Sequence, residues 1–221
     1  QGTGPTLLPK QNHIERKFLV DTGARGALHL TKPFSDKNNL LDKIQKTIEA
    51  PFGVGIGGMT KQHLGRVKAF YLGKFLIENV VSGFSQDVKG ALATPDLAGI
   101  IGGEILRRFK VIFDYSRYQM ILEKNAKFDE PYEYDMSGAF IISEGQDLKT
   151  FRILRVIDNS PAEEVGLCEG DIIVSIDGRL AQEFTLDQIR LMFKKEGREY
   201  TLGVKRGVDI MEIKIKLRKL I

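Results

Sequence analysis

The stretch Phe18-Leu19-Val20-Asp21-Thr22-Gly23-Ala24 is the one best suited to chemistry, because an apolar strand ends by delivering a carboxylate into a tight turn followed by small residues. Such an ending holds an acid at a fixed point where the backbone can approach a bound group closely. Asp-Thr-Gly is also a common turn triplet in which the aspartate caps its own turn. Two glycine-rich stretches follow it, Pro51 to Met59 and Ala98 to Leu106. Asp96 and Asp114 are further acids, but neither follows a strand in this way and both read as loop or turn aspartates. His29, His63, Ser160 and Ser175 show no Ser/His/Asp order, and Ser160 is explained as a helix cap. Cys168 reads as a small apolar filler rather than a thiolate nucleophile. His13, His29 and His63 are scattered without ligand spacing, so neither a metal nor another cofactor is expected.

Short strands punctuated by glycine must position these residues. The pattern predicts strands at Lys17 to Asp21 and Ala27 to Leu30, then a helix over Ser35 to Lys46 with Leu40, Leu41 and Ile44 on one side. Strands are expected at Leu64 to Leu72 and Phe75 to Val80 around a Gly73-Lys74 turn. Leu97 to Phe109 follows, with a helical turn at Glu104 to Arg108, and then strands at Val111 to Asp114 and Met120 to Glu123. Beyond a polar stretch containing Pro131, the caps become explicit. Ser160-Pro161-Ala162-Glu163 is a capping box that opens a short helix ended by Gly166, and Thr185-Leu186-Asp187-Gln188 opens a longer one running toward Gly197. Ile172 to Ile176 leads into an Asp177-Gly178 turn, and Ile213, Ile215 and Leu217 alternate with charged residues in a final half-buried strand.

The 221 residues are 42% hydrophobic and 28% charged, with 23 glycines, which excludes a disordered, collagenous or coiled-coil chain. No apolar run reaches the ~20 residues a membrane-spanning helix needs, so no membrane span is expected. Residues 1 to 125 carry 18 Lys+Arg against 11 Asp+Glu, whereas residues 126 to 221 carry 15 against 18, a change of sign that suggests two units. Because bases and acids alternate without a basic stripe, nucleic-acid binding is not expected. A first residue of Gln1 rather than methionine, without a signal-like stretch, reads as a processed product or an excised piece.

The order Asp21-Thr22-Gly23-Ala24, a glycine-rich hairpin, then Ile100-Ile101-Gly102 before a short helix resembles the bacterial type of retropepsin-like aspartic proteases over roughly residues 14 to 124. Arg108 to Tyr115 is similar to the same group. The resemblance implies an acid-protease β-barrel unit over 1–125, with Asp21, Thr22 and Gly23 catalytic and Gly55, Ile56, Gly57 and Gly58 in a substrate-covering flap. Two close carboxylates sharing one proton would activate water and protonate the carbonyl. One Asp-Thr-Gly supplies half of such a dyad, so a homodimer or a second protease-like repeat is implied as partner.

Residues 135–221, beyond a linker at 126–134, resemble a PDZ domain of the bacterial protease-associated type. Ser137-Gly138-Ala139-Phe140, Val156 to Ala162, Val165-Gly166-Leu167, Glu169 to Ile173 and Ile176-Asp177-Gly178 carry the likeness. It implies a β-sandwich with two helices that adds a peptide as a strand, with Gly138, Ala139 and Phe140 binding its terminal carboxylate and the helix Leu186 to Lys195 opposite. Alanine and phenylalanine stand where many relatives have glycine after an apolar residue. The expectation is thus a mainly β, exported or periplasmic aspartic endopeptidase acting on peptide or protein substrates. A non-catalytic peptide-binding or scaffold protein with an incomplete protease-like half is the alternative.

Overall fold

The computed structural model describes residues 16–55 and 58–221, and the chain divides into two compact units that meet between Tyr132 and Glu133. In the first unit the strands are β1 (Phe18–Val20), β2 (Leu28–Leu30), β3 (Thr47–Gly55), β4 (Gly58–Leu72), β5 (Phe75–Ser85) and β6 (Gly99–Ile101), and later β7 (Phe109–Asp114) and β8 (Gln119–Lys124). Helix α1 (Lys32–Lys37) follows β2, and α2 (Gly103–Leu106) follows β6. Six strands form one sheet in the order β1-β6-β2-β5-β4-β3, and β7 pairs with β8 alone. The sequence points to a closed barrel. Among the described residues no ladder joins β3 back to β1, so an open sheet and a separate hairpin stand in its place.

Leu28, Leu30, Phe70, Val80, Phe84 and Ile101 are fully or nearly fully buried in the core of this unit. Burial of each such side chain contributes about 1.5–3 kcal/mol. The helix expected at Ser35 to Lys46 is displaced. Thr31 accepts the Phe34 amide, a proline opens the first turn, and the helix stops at Asn38, whose side chain caps the Phe34 carbonyl. Leu41–Lys43 is only a single 3-10 turn, and Thr47 already begins β3. The missed signal was Thr31-Lys32-Pro33, a cap followed by proline.

β6 runs antiparallel to β2 and parallel to β1, which forces close backbone approach at its glycines. A Cβ on Gly102 would lie 2.3 Å from the Gly26 carbonyl oxygen and 2.8 Å from that of Ala24, both backbone atoms that cannot swing aside. Gly102→Ala is therefore expected to destabilise this unit by about 2 kcal/mol or more, read as a lowered urea midpoint. An unchanged midpoint would mean that the segment has room to move.

The stretch 126–134, expected as a linker, is in large part tied to the first unit. Phe128 packs on Phe75 and Phe109 with ring centroids 6.1 and 5.3 Å away, and Tyr132 is buried. Arg108, fully buried, donates to the carbonyls of Glu104, Lys127, Phe128, Glu130 and Pro131, and its guanidinium lies 3.7 Å from the Tyr132 ring centre.

The second unit, Glu133–Leu220, contains β9 (Ala139–Glu144), β10 (Thr150–Val156), α3 (Pro161–Glu164), β11 (Ile172–Ile176), β12 (Arg179–Leu180), α4 (Leu186–Met192), β13 (Glu199–Arg206) and β14 (Asp209–Lys216). These strands make one sheet, ordered β14-β13-β11-β10-β9 with β12 beside β11, rather than the two facing sheets of a sandwich. Both expected caps are present. Ser160 Oγ accepts the Glu163 amide, while the Glu163 carboxylate reaches back to the Asn159 amide, one residue earlier than in the usual box. Thr185 and Gln188 exchange both bonds at the start of α4. Asp177 and Gly178 have φ of 48° and 77°, the two left-handed positions that a tight hairpin turn requires. Ile189 and Phe193, four residues apart, bury one side of the α4 segment against Phe151, Ile153, Leu202 and Ile215 of the sheet.

Candidate functional site

Two places merit a site's description, one in each unit. At the end of β1 the Asp21 amide donates to the Ile101 carbonyl at 3.0 Å, which locks the strand end beside β6. The Asp21 carboxylate Oδ1 accepts the amides of Gly23 at 2.8 Å and Ala24 at 3.2 Å, so it caps its own turn. Thr22 and Gly23 are exposed. The Gly103 amide donates to Ala24 and the Gly102 amide to Ala27, which sets Ile100-Ile101-Gly102 directly along this loop. Nearby His29 is buried with Nδ1 3.2 Å from Gln62 Oε1, and burial pushes its pKa down against the opposing Gln62 bond and Asp21 charge. Gly55 and Gly58 pair at the tip of the β3–β4 hairpin, and Ile56 and Gly57 lie outside the described residues.

Asp114 is a turn aspartate. Ser116 Oγ donates to it at 2.6 Å and Arg117 binds it through backbone and side chain, which holds its carboxyl below the usual range. The Asp96 amide donates to Thr94 Oγ1 in a local turn. Cys168 is exposed.

The other place is the free end of the second sheet. β9 pairs with β10 and is the last strand of its sheet, so its far edge offers unpaired backbone groups. Arg190 of α4 donates through Nη2 to the Ile141 carbonyl at 3.0 Å, which shows that Ile141 points its backbone outward toward this helix. Alternation then turns Ala139 and Ser143 the same way. Arg190 Nη1 is buried without a hydrogen-bond acceptor and lies 3.6 Å from the Asp187 carboxylate.

The loop that feeds β9 is closed by its own residues. Asp135 Oδ1 accepts the Ser137 amide at 2.9 Å, the Ser137 hydroxyl at 2.6 Å and the Gly138 amide at 2.9 Å. The Ala139 amide donates to Ser137 Oγ at 3.0 Å. Behind it the Ser137 and Gly138 carbonyls accept the Ala162 and Ile157 amides. Gly138 has φ of 80°, and a Cβ there would sit 2.1 Å from Ser160 Cβ, so the loop is wedged against the α3 cap. Burial pushes the Asp135 carboxyl up to about 6 despite its three hydrogen bonds. Of the residues expected in the groove, Gly138, Ala139 and Phe140 lie together at the start of β9. Asp135 and Arg190 were not singled out from sequence; the Asp-x-Ser-Gly spacing is an aspartate-turn signal that could have revealed the first.

Residues 127–217 match the model of the PDZ domain family. The second unit is therefore a PDZ domain. Across 178 residues, 79% of this chain and 34% of the relative, the sequence is 28% identical to a probable CtpA-like serine protease of Staphylococcus haemolyticus. It is 40% identical over 63 residues, 28% of this chain and 13% of the relative, to serine protease HTRA1 of Xenopus tropicalis. The chain thus spans about a third or less of the length of these curated relatives. Among solved structures, the HtrA3 PDZ domain bound to a phage-derived ligand aligns with 38% of this chain and 86% of its own, at 23% identity and a TM-score of 0.34.

These names correct the expected chemistry. An alignment of 178 residues is longer than the 91 matched by the PDZ model, so the likeness to a serine protease takes in residues outside that domain. The aspartic endopeptidase reading is overturned by it, and the aspartyl and retropepsin-like descriptions go with it. The dimer or second repeat had been required only to complete the carboxylate dyad. No helix among the described residues is long and apolar enough to cross a membrane.

Proposed function

We propose that this chain is the peptide-recognition part of a protein of the PDZ-bearing serine-protease kind, adding an extended polypeptide segment to β9 beneath α4. The observation that carries the reading is the outward edge of β9, a row of backbone donors and acceptors faced by a helix. Main-chain bonds along such an edge supply affinity, and side chains between strand and helix supply selectivity. Gly138, Ala139 and Phe140 line the start of that groove. An incoming strand competes with Arg190 for the Ile141 carbonyl, so ligand binding displaces the guanidinium. An exported location forms part of the same proposal and is checked by cell fractionation.

Amide hydrogen exchange on the chain with peptides selected from a random display library tests the groove. Ile141 and Ser143 amides should gain protection, while those at the opposite edge of the sheet, Asp209 to Met211 of β14, should not. Protection at β14 instead would refute the assignment. For the whole protein, hydrolysis should be blocked by a fluorophosphonate and unaffected by a statine-type peptide; the reverse pattern would exclude serine chemistry.

A further inference from the structure

Resting on that groove, we infer that it reads internal strand segments of a polypeptide rather than free C-termini. A terminal carboxylate is held in a site of this kind by clustered backbone amides at the start of the edge strand. Here the loop amides of Ser137, Gly138 and Ala139 are all committed, and Phe140 is paired with Arg155 inside the β9–β10 ladder. Asp135 Oδ1 occupies the amides of Ser137 and Gly138, and Ser137 Oγ occupies that of Ala139. The chain's own carboxylate therefore sits on the donors that a ligand carboxylate would need. A second anion brought to the same amides would meet the Asp135 charge and find no free donor, so its desolvation would go uncompensated. The loop also cannot swing easily to expose new donors. Gly138 is wedged on Ser160, and its carbonyl and that of Ser137 are tied to Ile157 and Ala162. The β9 edge beyond the loop turns its Ile141 and Ser143 backbone outward, so a strand that passes through without ending there still gains its ladder once it displaces Arg190 from the Ile141 carbonyl.

The test uses library-selected peptides on the full chain, each synthesised with a free carboxylate, with an amidated end, and with a Gly-Ser extension. All three forms should bind within threefold of one another. A preference of threefold or more for the free carboxylate would overturn the inference. Asp135→Asn, whose carbonyl oxygen still accepts the same amides, should keep the indifference, whereas Asp135→Ala should create at least a tenfold preference for the free carboxylate. Should the alanine variant fail to fold, the wild-type and asparagine comparisons decide the matter alone. If no peptide in any form protects the Ile141 amide, the groove reading fails; if peptides protect it but the terminus dominates affinity, only this inference fails.

Discussion

Arg108→Met should destabilise the first unit by about 3–5 kcal/mol and release the segment after β8. Five backbone carbonyls, of Glu104, Lys127, Phe128, Glu130 and Pro131, take their hydrogen bonds from this one side chain. A fully buried arginine is costly unless its donors are matched, and a ring of carbonyls matches them without a counter-charge. Methionine keeps the length and apolar stem but removes a donor from each of those carbonyls, of which Lys127 still accepts the Glu130 amide, at about 1–3 kcal/mol for each left dry and unpaired. The sum is limited because the segment can peel off and hydrate, which costs instead the packing of Phe128 and Tyr132. Two readouts should move together: the first thermal transition falls, and amides of Phe128 and Glu130, which donate to Asn125 and Lys127, exchange faster. Arg108→Lys, with three donors on one point, should recover only part of the loss. A methionine variant with an unaltered transition would show that water replaces the guanidinium at no cost.

That segment also shows what was legible in the sequence. Polarity and Pro131 marked it as a connection, and by composition it is one. Its attachment comes from Arg108, some twenty residues earlier, and such a pairing leaves no local pattern. The second unit was the easier to read because its signals are local. Ser160 and Thr185 each state a helix start within four residues, and Asp177-Gly178 states a turn. In the first unit the apolar residues Leu40, Leu41 and Ile44 mimic a helical face. Yet Thr31 and Pro33 had already started α1, and Asn38 and Asn39, the latter with φ of 47°, stopped it. Start and stop residues outweighed periodicity there.

Asp21 marks a different limit. The sequence correctly indicated a carboxylate fixed in a turn, and its bonds to Gly23 and Ala24 follow from the residue types alone. The reaction did not follow, because one triplet constrains a backbone turn far more than it constrains chemistry. Asp135 lay within reach of its local Asp-x-Ser-Gly turn signal, whereas Arg190 was illegible for a related reason. Its role depends on which way β9 turns the Ile141 carbonyl, and a one-residue change of register would reverse it.

Asp135→Asn should stabilise the PDZ domain at neutral pH and leave it little changed in acid. Burial raises the Asp135 carboxyl from 3.8 to about 6, even though the Ser137 and Gly138 bonds pull it down. A carboxyl whose folded value is raised contributes fully below its unfolded value, where both states are protonated, and that contribution is lost as pH climbs through about 6. A rise of roughly two units corresponds to about 3 kcal/mol, an upper figure for a side chain with some solvent access. Asparagine keeps the accepting oxygen for the loop amides and removes the buried charge, so the gain should appear at pH 7.5 and vanish at pH 4. Asp171 in the same domain supplies the opposite sign. Burial raises its carboxyl, but Arg206, at 2.7 Å, and the Cys168 amide outweigh that and hold it low. Its contribution is therefore present above the unfolded value and lost as pH falls through the folded one. Urea denaturation of wild type, Asp135→Asn and Asp171→Asn from pH 3 to 8 separates the two: the first variant gains with rising pH, and the second loses. An Asp135→Asn difference that is the same at pH 4 and pH 7.5 would mean that the carboxylate is hydrated in the folded loop, and that its hold on Ser137 and Gly138 carries no electrostatic cost.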